Sequence, residues 1–385
     1  MSWPRGFLRL TVGAVAASSV VLSSVPRIWL AEGGLPNVFR PFVWSDLYLS
    51  YEQLLGPGRI PYWDTVFYYP PMVGYVAGLF SFVAPNAMTY LALWTLLLAA
   101  AAGLGGWLLA GITNARTALV YWSLSPQLLL YGGANFDVLP TLVVVSAILL
   151  ARRGRQLAAL GLLAVGTLLK AFPAAIAPLE LDRMRRDKMR LAIGAAWFGG
   201  VGLLLALPSL LAEHPSTISV PQYAQRSNFE SVWGLAAEVA AATGGQPAVL
   251  AVGAMSVIGL FATYLFGVLP QGRRVRDPAV GAGLAVVAVL LWSRLFSPQY
   301  TLWMLPFFVL LGLPRRLFVA LSLVDVLVFL TIYPLTLIRW APEDPGAVVL
   351  LGVLGGAVAL RHLVLIAVWL RISRAASAAR EEATA

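Results

Sequence analysis

Long, continuously apolar runs recur from one end of this chain to the other, and a lipid bilayer is the solvent that suits them. Many reach about 15 to 25 residues, the length that spans hydrocarbon. Lipid offers the backbone no hydrogen-bond partner, so a spanning segment must be a helix or part of a closed barrel. The runs do not alternate between apolar and polar and are rich in Leu and Ala, which selects helices. Composition agrees, with 59% hydrophobic and only 11% charged residues, where a soluble domain carries roughly 25% charged. The first run, 7–30, is too long for a signal-peptide core and lacks a good cleavage site, so it reads as a retained first helix. The expected fold is an all-α polytopic membrane protein, with 1–385 forming a single transmembrane domain.

The formal net charge is +10. The basic residues sit in short loops between apolar runs, so the charge reports topology rather than nucleic acid. They cluster at Arg5 and Arg9, at Arg116, at Arg152 to Arg155, at Arg183 to Arg190, at Arg273 to Arg276, at Arg315 and Arg316, and from Arg371 onward. If these clusters mark the cytoplasm, the spans between them come in pairs. That parity gives about twelve crossings: 7–30, 87–111, 117–131, 138–151, 156–169, 173–181, 191–211, 246–269, 279–293, 299–313, 317–333 and 346–370, with both termini inside. The stretch 71–84 has no room for a full crossing and reads as a short helix in the outer leaflet. Cysteine is absent, which excludes disulfides and cysteine-ligated metals.

The same parity turns outward the long first loop 32–70, the turn 132–137, the turn at Lys170, a second large loop 212–245, the turn 293–300 and the loop 334–345. Most charges outside the cytoplasmic clusters fall there. A transport path would place its ionisable groups near the bilayer midplane; charges gathered on one face describe a reaction centre at the membrane surface.

The first outward loop reads WSDLYLSYEQLLGPGRIPYWDTVFYYPPM and carries Asp46, Glu52 and Asp64 among Tyr48, Tyr62, Tyr69 and other aromatic residues. An interfacial aromatic belt with solvated acids has this composition, and so has a carbohydrate site, where rings cover sugar CH groups and a carboxylate takes a hydroxyl proton. Asn135 and Asp137 in NFD either cap a helix or face that site. Lys170 lies on the outer side, against the positive-inside trend, and either snorkels or meets an anion such as phosphate. The second large loop offers His214, Arg226 and Glu230; Ser227 or Asn228 could cap the helix that follows, with Glu230 completing a capping box. Arg294 is another outward cation, beside Gln299 and Tyr300, and its planar fork suits a phosphate oxygen. Pro298 could start a helix in its first turn. Asp325 and Arg361 lie at matching depths in the last two spans, which predicts a buried ion pair. The sequence contains no Gly-rich phosphate loop, dinucleotide fingerprint or metal-spaced His/Cys cluster.

The segments SDLYLSY at 45–51, PYWDTVFYYPP at 61–71, NFDVLP at 135–140, LLKAFP at 168–173, YAQRSNFES at 223–231 and FSPQYTLWMLP at 296–306 together resemble the GT-C superfold of membrane glycosyltransferases. The resemblance is nearest to bacterial polyprenyl-phosphate-mannose-dependent mannosyltransferases, including those that extend phosphatidylinositol mannosides. It implies an inverting transfer of mannose, on the extracytoplasmic face of the plasma membrane, from a polyprenyl-phosphate-sugar donor to a glycolipid acceptor. Asp46 matches the general base of that superfold, with Asp64 in reserve. Lys170, Arg226, Arg294, His214, Gln299 and Tyr300 would then bind the donor phosphate. Tyr48, Tyr62, Tyr69, Asn135, Asp137 and Glu230 would bind sugar or acceptor. The resemblance implies neither metal nor other cofactor. The chain ends about fifteen residues after its last span, where many arabinosyltransferase relatives continue into a large carbohydrate-binding domain, so a small glycolipid acceptor is expected. Arabinose transfer, a lipid-linked-sugar flippase and a non-catalytic scaffold are the alternatives.

Overall fold

A computed structural model describes residues 5–36, 39–215, 228–337 and 345–384. Its described residues are helical apart from turns and one isolated bridge between Pro61 and Thr65. Among the described residues, six helices are long and apolar enough to cross a membrane: Gly6–Ala31, Ala87–Ile112, Lys188–Leu210, Val232–Arg274, Arg315–Leu335 and Pro345–Ser377. The chain is thus an all-α protein of the multi-pass membrane type. It divides into two compact units, the first comprising Met1–Pro36 and Val43–Tyr223, the second Asn37–Phe42 and Ala224–Ala385.

In the first unit, α1 (Arg5–Ala31) packs mainly on α4 (Ala87–Ile112). Small residues make this possible, because apolar side chains gain little by leaving lipid and helices there associate through close backbone packing. A Cβ at Gly13 would lie 2.9 Å from the Gly103 carbonyl oxygen, and one at Gly106 would lie 3.2 Å from that of Val12. Between them the first loop is folded: α2 (Asp46–Ser50) runs into a π-helical turn, Tyr51–Leu55, and the chain returns through Pro61–Thr65 to α3 (Pro71–Val83). The 13-residue α3 is the short helix that the sequence suggested at 71–84.

Then come α5 (Ala115–Ala118), a π-helical turn, α6 (Pro126–Tyr131), α7 (Val138–Arg152), α8 (Gln156–Leu169), α9 (Ala177–Asp182) and α10 (Lys188–Leu210). In the second unit, α11 (Val232–Thr263) continues through a π-helical turn into α12 (Leu269–Arg274). They are followed by α13 (Pro278–Trp292), α14 (Leu305–Leu310), α15 (Arg315–Leu337) and α16 (Pro345–Thr384). Nearly every residue of α13 is buried, which fits a helix that is apolar all round.

Of the twelve apolar stretches expected to cross, six belong to long helices. Three more are helices of 14 or 15 residues, α7, α8 and α13, each roughly 22 Å long at about 1.5 Å per residue. The other three are broken. In 117–131 the helix stops at Ser125-Pro126, where the proline has no N–H for the ladder and Ser125 caps a new start through Leu128 N. In 173–181, Pro173 and Pro178 divide a 3₁₀ turn from the six-residue α9. In 299–313, Pro298 opens a 3₁₀ turn to Met304 before α14 begins.

The loop expected at 212–245 is also shorter than its sequence implied: α11 begins at Val232 and kinks at Gly245, where φ is +64°, just before Pro247. Its cap is Ser231, whose Oγ accepts from Gly234 N at 2.7 Å, rather than Ser227 or Asn228, and Glu230 therefore precedes the cap and forms no capping box. The buried pair is present as expected, with Arg361 Nη1 3.7 Å from Asp325 Oδ1 and both side chains essentially sealed.

Candidate active site

Ser45 caps α2 by accepting from Tyr48 N, which places Asp46 at the first helical position. The same segment is fastened to the turn after α6, because Asp46 N and Ser45 Oγ both donate to the Ala134 carbonyl, at 3.0 and 3.3 Å. Asn135 is therefore carried up to the Asp46 side chain. Its Nδ2 donates to Asp46 Oδ2 in a short hydrogen bond, while its Oδ1 accepts from Phe136 N at 2.5 Å. The indole N–H of Trp44 donates to the other carboxylate oxygen at 2.9 Å. Both oxygens of a half-buried carboxylate are thus oriented by neutral donors.

Two residues along, Asp137 is fully buried. Lys170, at the end of α8, brings Nζ to 3.4 Å from each of its oxygens. The ammonium also lies 4.7 Å from the centre of the Phe136 ring, within cation–π range. Asp137 starts α7 without a side-chain capping bond, so its carboxylate serves the lysine rather than the helix. Lys170 retains 14% exposure.

Burial pushes the Asp46 carboxyl above its ordinary value. The Trp44 hydrogen bond and the Lys170 charge oppose this, the Asp137 charge adds to it, and the Asn135 bond opposes it again. Burial dominates, which is how a carboxyl becomes basic enough to take a proton.

The aromatic residues of the first loop extend this site. Tyr69 packs edge-on against Phe136 and Phe67, and its hydroxyl reaches the Asp46 carbonyl at 3.5 Å. Tyr62 is buried at 1% exposure, donates to the Tyr69 carbonyl at 2.6 Å and adopts φ of +71°. That backbone is strained for a bulky residue, and it is held where Tyr62 lies against Gly74 of α3: a Cβ on Gly74 would sit 2.4 Å from the ring. His214 N donates to the Tyr62 carbonyl at 2.7 Å. Tyr48 is half-buried on α2. Asp64 is exposed, and its Oδ2 accepts from Ile60 N at 2.7 Å, closing a local turn.

One group of sequence candidates therefore comes together in the first unit: Asp46, Asn135, Asp137, Lys170 and Tyr69, with Tyr62 and His214 connected through backbone. In the second unit, Arg294 follows α13. Its carbonyl accepts from Asn228 N and from Ser231 Oγ, at 3.2 and 2.6 Å. Its guanidinium lies by Gly253, at the edge of an otherwise mostly apolar groove of about 390 Å³ on α11. Gln299 is buried, Tyr300 stacks on Trp303 at 4.2 Å, and the Glu230 carbonyl accepts from Arg361 Nη2. Arg226 lies outside the described residues.

Sequence reasoning missed the role of Trp44 as a donor to Asp46 and the place of Arg27. An arginine near the far end of the first apolar run, away from the Arg5 and Arg9 cluster, was the available signal, because an ionisable group at such a position is costly without a purpose. Comparison with protein-family models and with curated proteins gave no match.

Proposed function

We propose that this chain is an inverting, membrane-embedded glycosyltransferase of the GT-C kind that uses a polyprenyl-phosphate-sugar, with mannose the favoured sugar and a glycolipid hydroxyl the acceptor. The observation that carries this reading is Asp46: a half-buried carboxylate with both oxygens oriented, a raised proton affinity, aromatic neighbours and a cation nearby. The order of the matching segments along the chain supports it.

In this reading Asp46 takes the proton from the acceptor hydroxyl as its oxygen attacks the anomeric carbon. The bond from that carbon to the phosphate oxygen breaks on the opposite face, so the configuration inverts and polyprenyl phosphate leaves with one more negative charge. A preorganised cation is the economical way to stabilise charge that develops there. Lys170 offers one, already held by Asp137. Asn135 and Trp44 orient the base, Tyr69 supplies a ring face for sugar, and Tyr62 supports Tyr69. Positive-inside placement of the arginine clusters would put this chemistry on the extracytoplasmic face, with both termini in the cytoplasm; the three shorter helices and the three broken stretches would make up the rest of about twelve crossings.

The test supplies membranes carrying the protein with radiolabelled polyprenyl-phosphate-mannose and a glycolipid extract, and follows label into new lipid. Label in a mannosylated glycolipid supports the reading. Transfer only from polyprenyl-phosphate-arabinose would keep the enzyme and change its sugar. Movement of labelled donor between leaflets without any product would replace the enzyme with a flippase.

A further inference from the structure

We infer that Arg27 is a positioning residue for Asp46, acting with Ser23 as a clip on α1; its catalytic consequence rests on the glycosyl-transfer reading. Arg27 is buried at 4% exposure near the end of α1. Its guanidinium points in three directions at once. Nε donates to the Trp44 carbonyl at 2.9 Å, and Nη2 to the Leu130 carbonyl at 2.9 Å. Nη1 donates to Ser23, to its carbonyl and, at 3.2 Å, to its hydroxyl. Ser23 Oγ also accepts from Gly133 N at 3.0 Å. One side is the segment 44–46, which carries both Asp46 and the indole that donates to it. The other is the turn 130–135, which carries Asn135.

The turn is pressed onto α1 so closely that no side chain fits at Gly133, where a Cβ would lie 2.9 Å from Ser24 N and nearer still to its hydroxyl. The Trp44 and Leu130 carbonyls, in a water-poor setting, need donors, and a forked, permanently charged group serves both while also bonding Ser23. Arg27 and Ser23 thus anchor to α1 the two backbone segments, joined also through the Ala134 carbonyl, whose side chains meet at the Asp46–Asn135 bond. A base misplaced by about 1 Å can lose on the order of 100-fold in rate.

The chain contains no cysteine, which permits a direct readout. Leu49→Cys, half-buried on α2, reports the Asp46 segment, and Ala115→Cys, at the start of α5 in the same unit, reports general loosening. In the Arg27→Gln background, thiol labelling at position 49 is expected to quicken while labelling at 115 stays unchanged, with Arg27→Lys intermediate. In transfer assays Arg27→Gln should lower kcat by about 10- to 100-fold with KM little changed. Its acid limb should move to higher pH, because loss of the Asn135 and Trp44 donors raises the Asp46 proton affinity. The loss should be much smaller when measured on top of Asn135→Ala. If Arg27→Gln does not accumulate in membranes, Ser23→Ala is read in the same way.

Unchanged labelling at position 49, or equal quickening at 49 and 115, overturns the inference whatever the transfer assay gives. A rate loss that keeps the wild-type pH limb and adds fully to Asn135→Ala overturns it as well. Selective quickening at 49 in a protein that transfers no sugar would uphold the clip and sink the glycosyl-transfer reading alone.

Discussion

Lys170 with Asp137 in the first unit and Arg361 with Asp325 in the second are alike in chemistry and different in company. In both, the carboxylate is fully buried. Lys170 is a compact charge that keeps 14% exposure, rests on a phenyl ring and lends its field to Asp46. Arg361 is 1% exposed. It lies 3.8 Å from the centre of the Phe296 ring and donates to the carbonyls of Glu230 and Phe296. The first pair keeps some contact with solvent and tunes a neighbour. The second is sealed, and its donors hold two backbone segments. A buried ion pair can therefore be part of a reaction centre or a staple, and exposure together with the destination of the remaining donors tells which.

The largest expected effect is on the staple. Asp325→Ala strands a buried guanidinium and should cost about 3–5 kcal/mol of stability, read as a lower thermal midpoint or loss of folded protein from membranes. Unchanged melting would remove the distinction between the pairs. Lys170→Met comes next. It leaves the Asp137 charge buried and withdraws the field that lowers Asp46, so the acid limb of activity should move to higher pH. Stability should fall as well, because the buried Asp137 carboxylate loses its cation; a staple would lose stability with no change in that limb.

Trp44→Phe removes one donor from Asp46 while keeping an aromatic ring. It should shift the limb in the same direction, with melting nearly unchanged. For the wild type the sign is fixed by burial. Asp46 binds a proton more readily folded than unfolded, so transfer is expected only as pH rises past a value above the ordinary one for this group. The contribution of this group to stability declines over the same rise. Arg183→Ala should matter least. Its partner Glu180 is buried, but Arg183 is a quarter exposed and the pair lies three residues apart on one turn, so the loss should be smaller than at Asp325.

Much of this was legible from residues alone because lipid makes apolar runs unambiguous. Helices at Pro71–Val83, Ala87–Ile112 and Gln156–Leu169 start and stop within a residue or two of their apolar runs. The Asp325–Arg361 pair followed from equal depth in two spans. Breaks at Ser125-Pro126 and within 298–310 were harder, since the apolar pattern runs straight through them and only backbone hydrogen bonding reveals the interruption. Val232 begins a helix amid a polar stretch because Ser231 caps it, and several capping residues stood nearby to choose from. The meeting of Asp46 with Asn135, 89 positions later, depends on carbonyls of 130–134, and backbone contacts leave no trace in side-chain identity. Arg27 shows the same limit: its position was visible, its three carbonyl partners were not.

The central claim is that Asp46 is the base. The most direct test compares Asp46→Asn with Asp64→Asn, at equal protein level, for transfer of label from polyprenyl-phosphate-mannose into glycolipid. Loss of transfer by about 100-fold or more in Asp46→Asn, with Asp64→Asn close to wild type, is the predicted result. Transfer that survives in Asp46→Asn and disappears in Asp64→Asn would contradict the account and move the reaction to the exposed turn at Ile60.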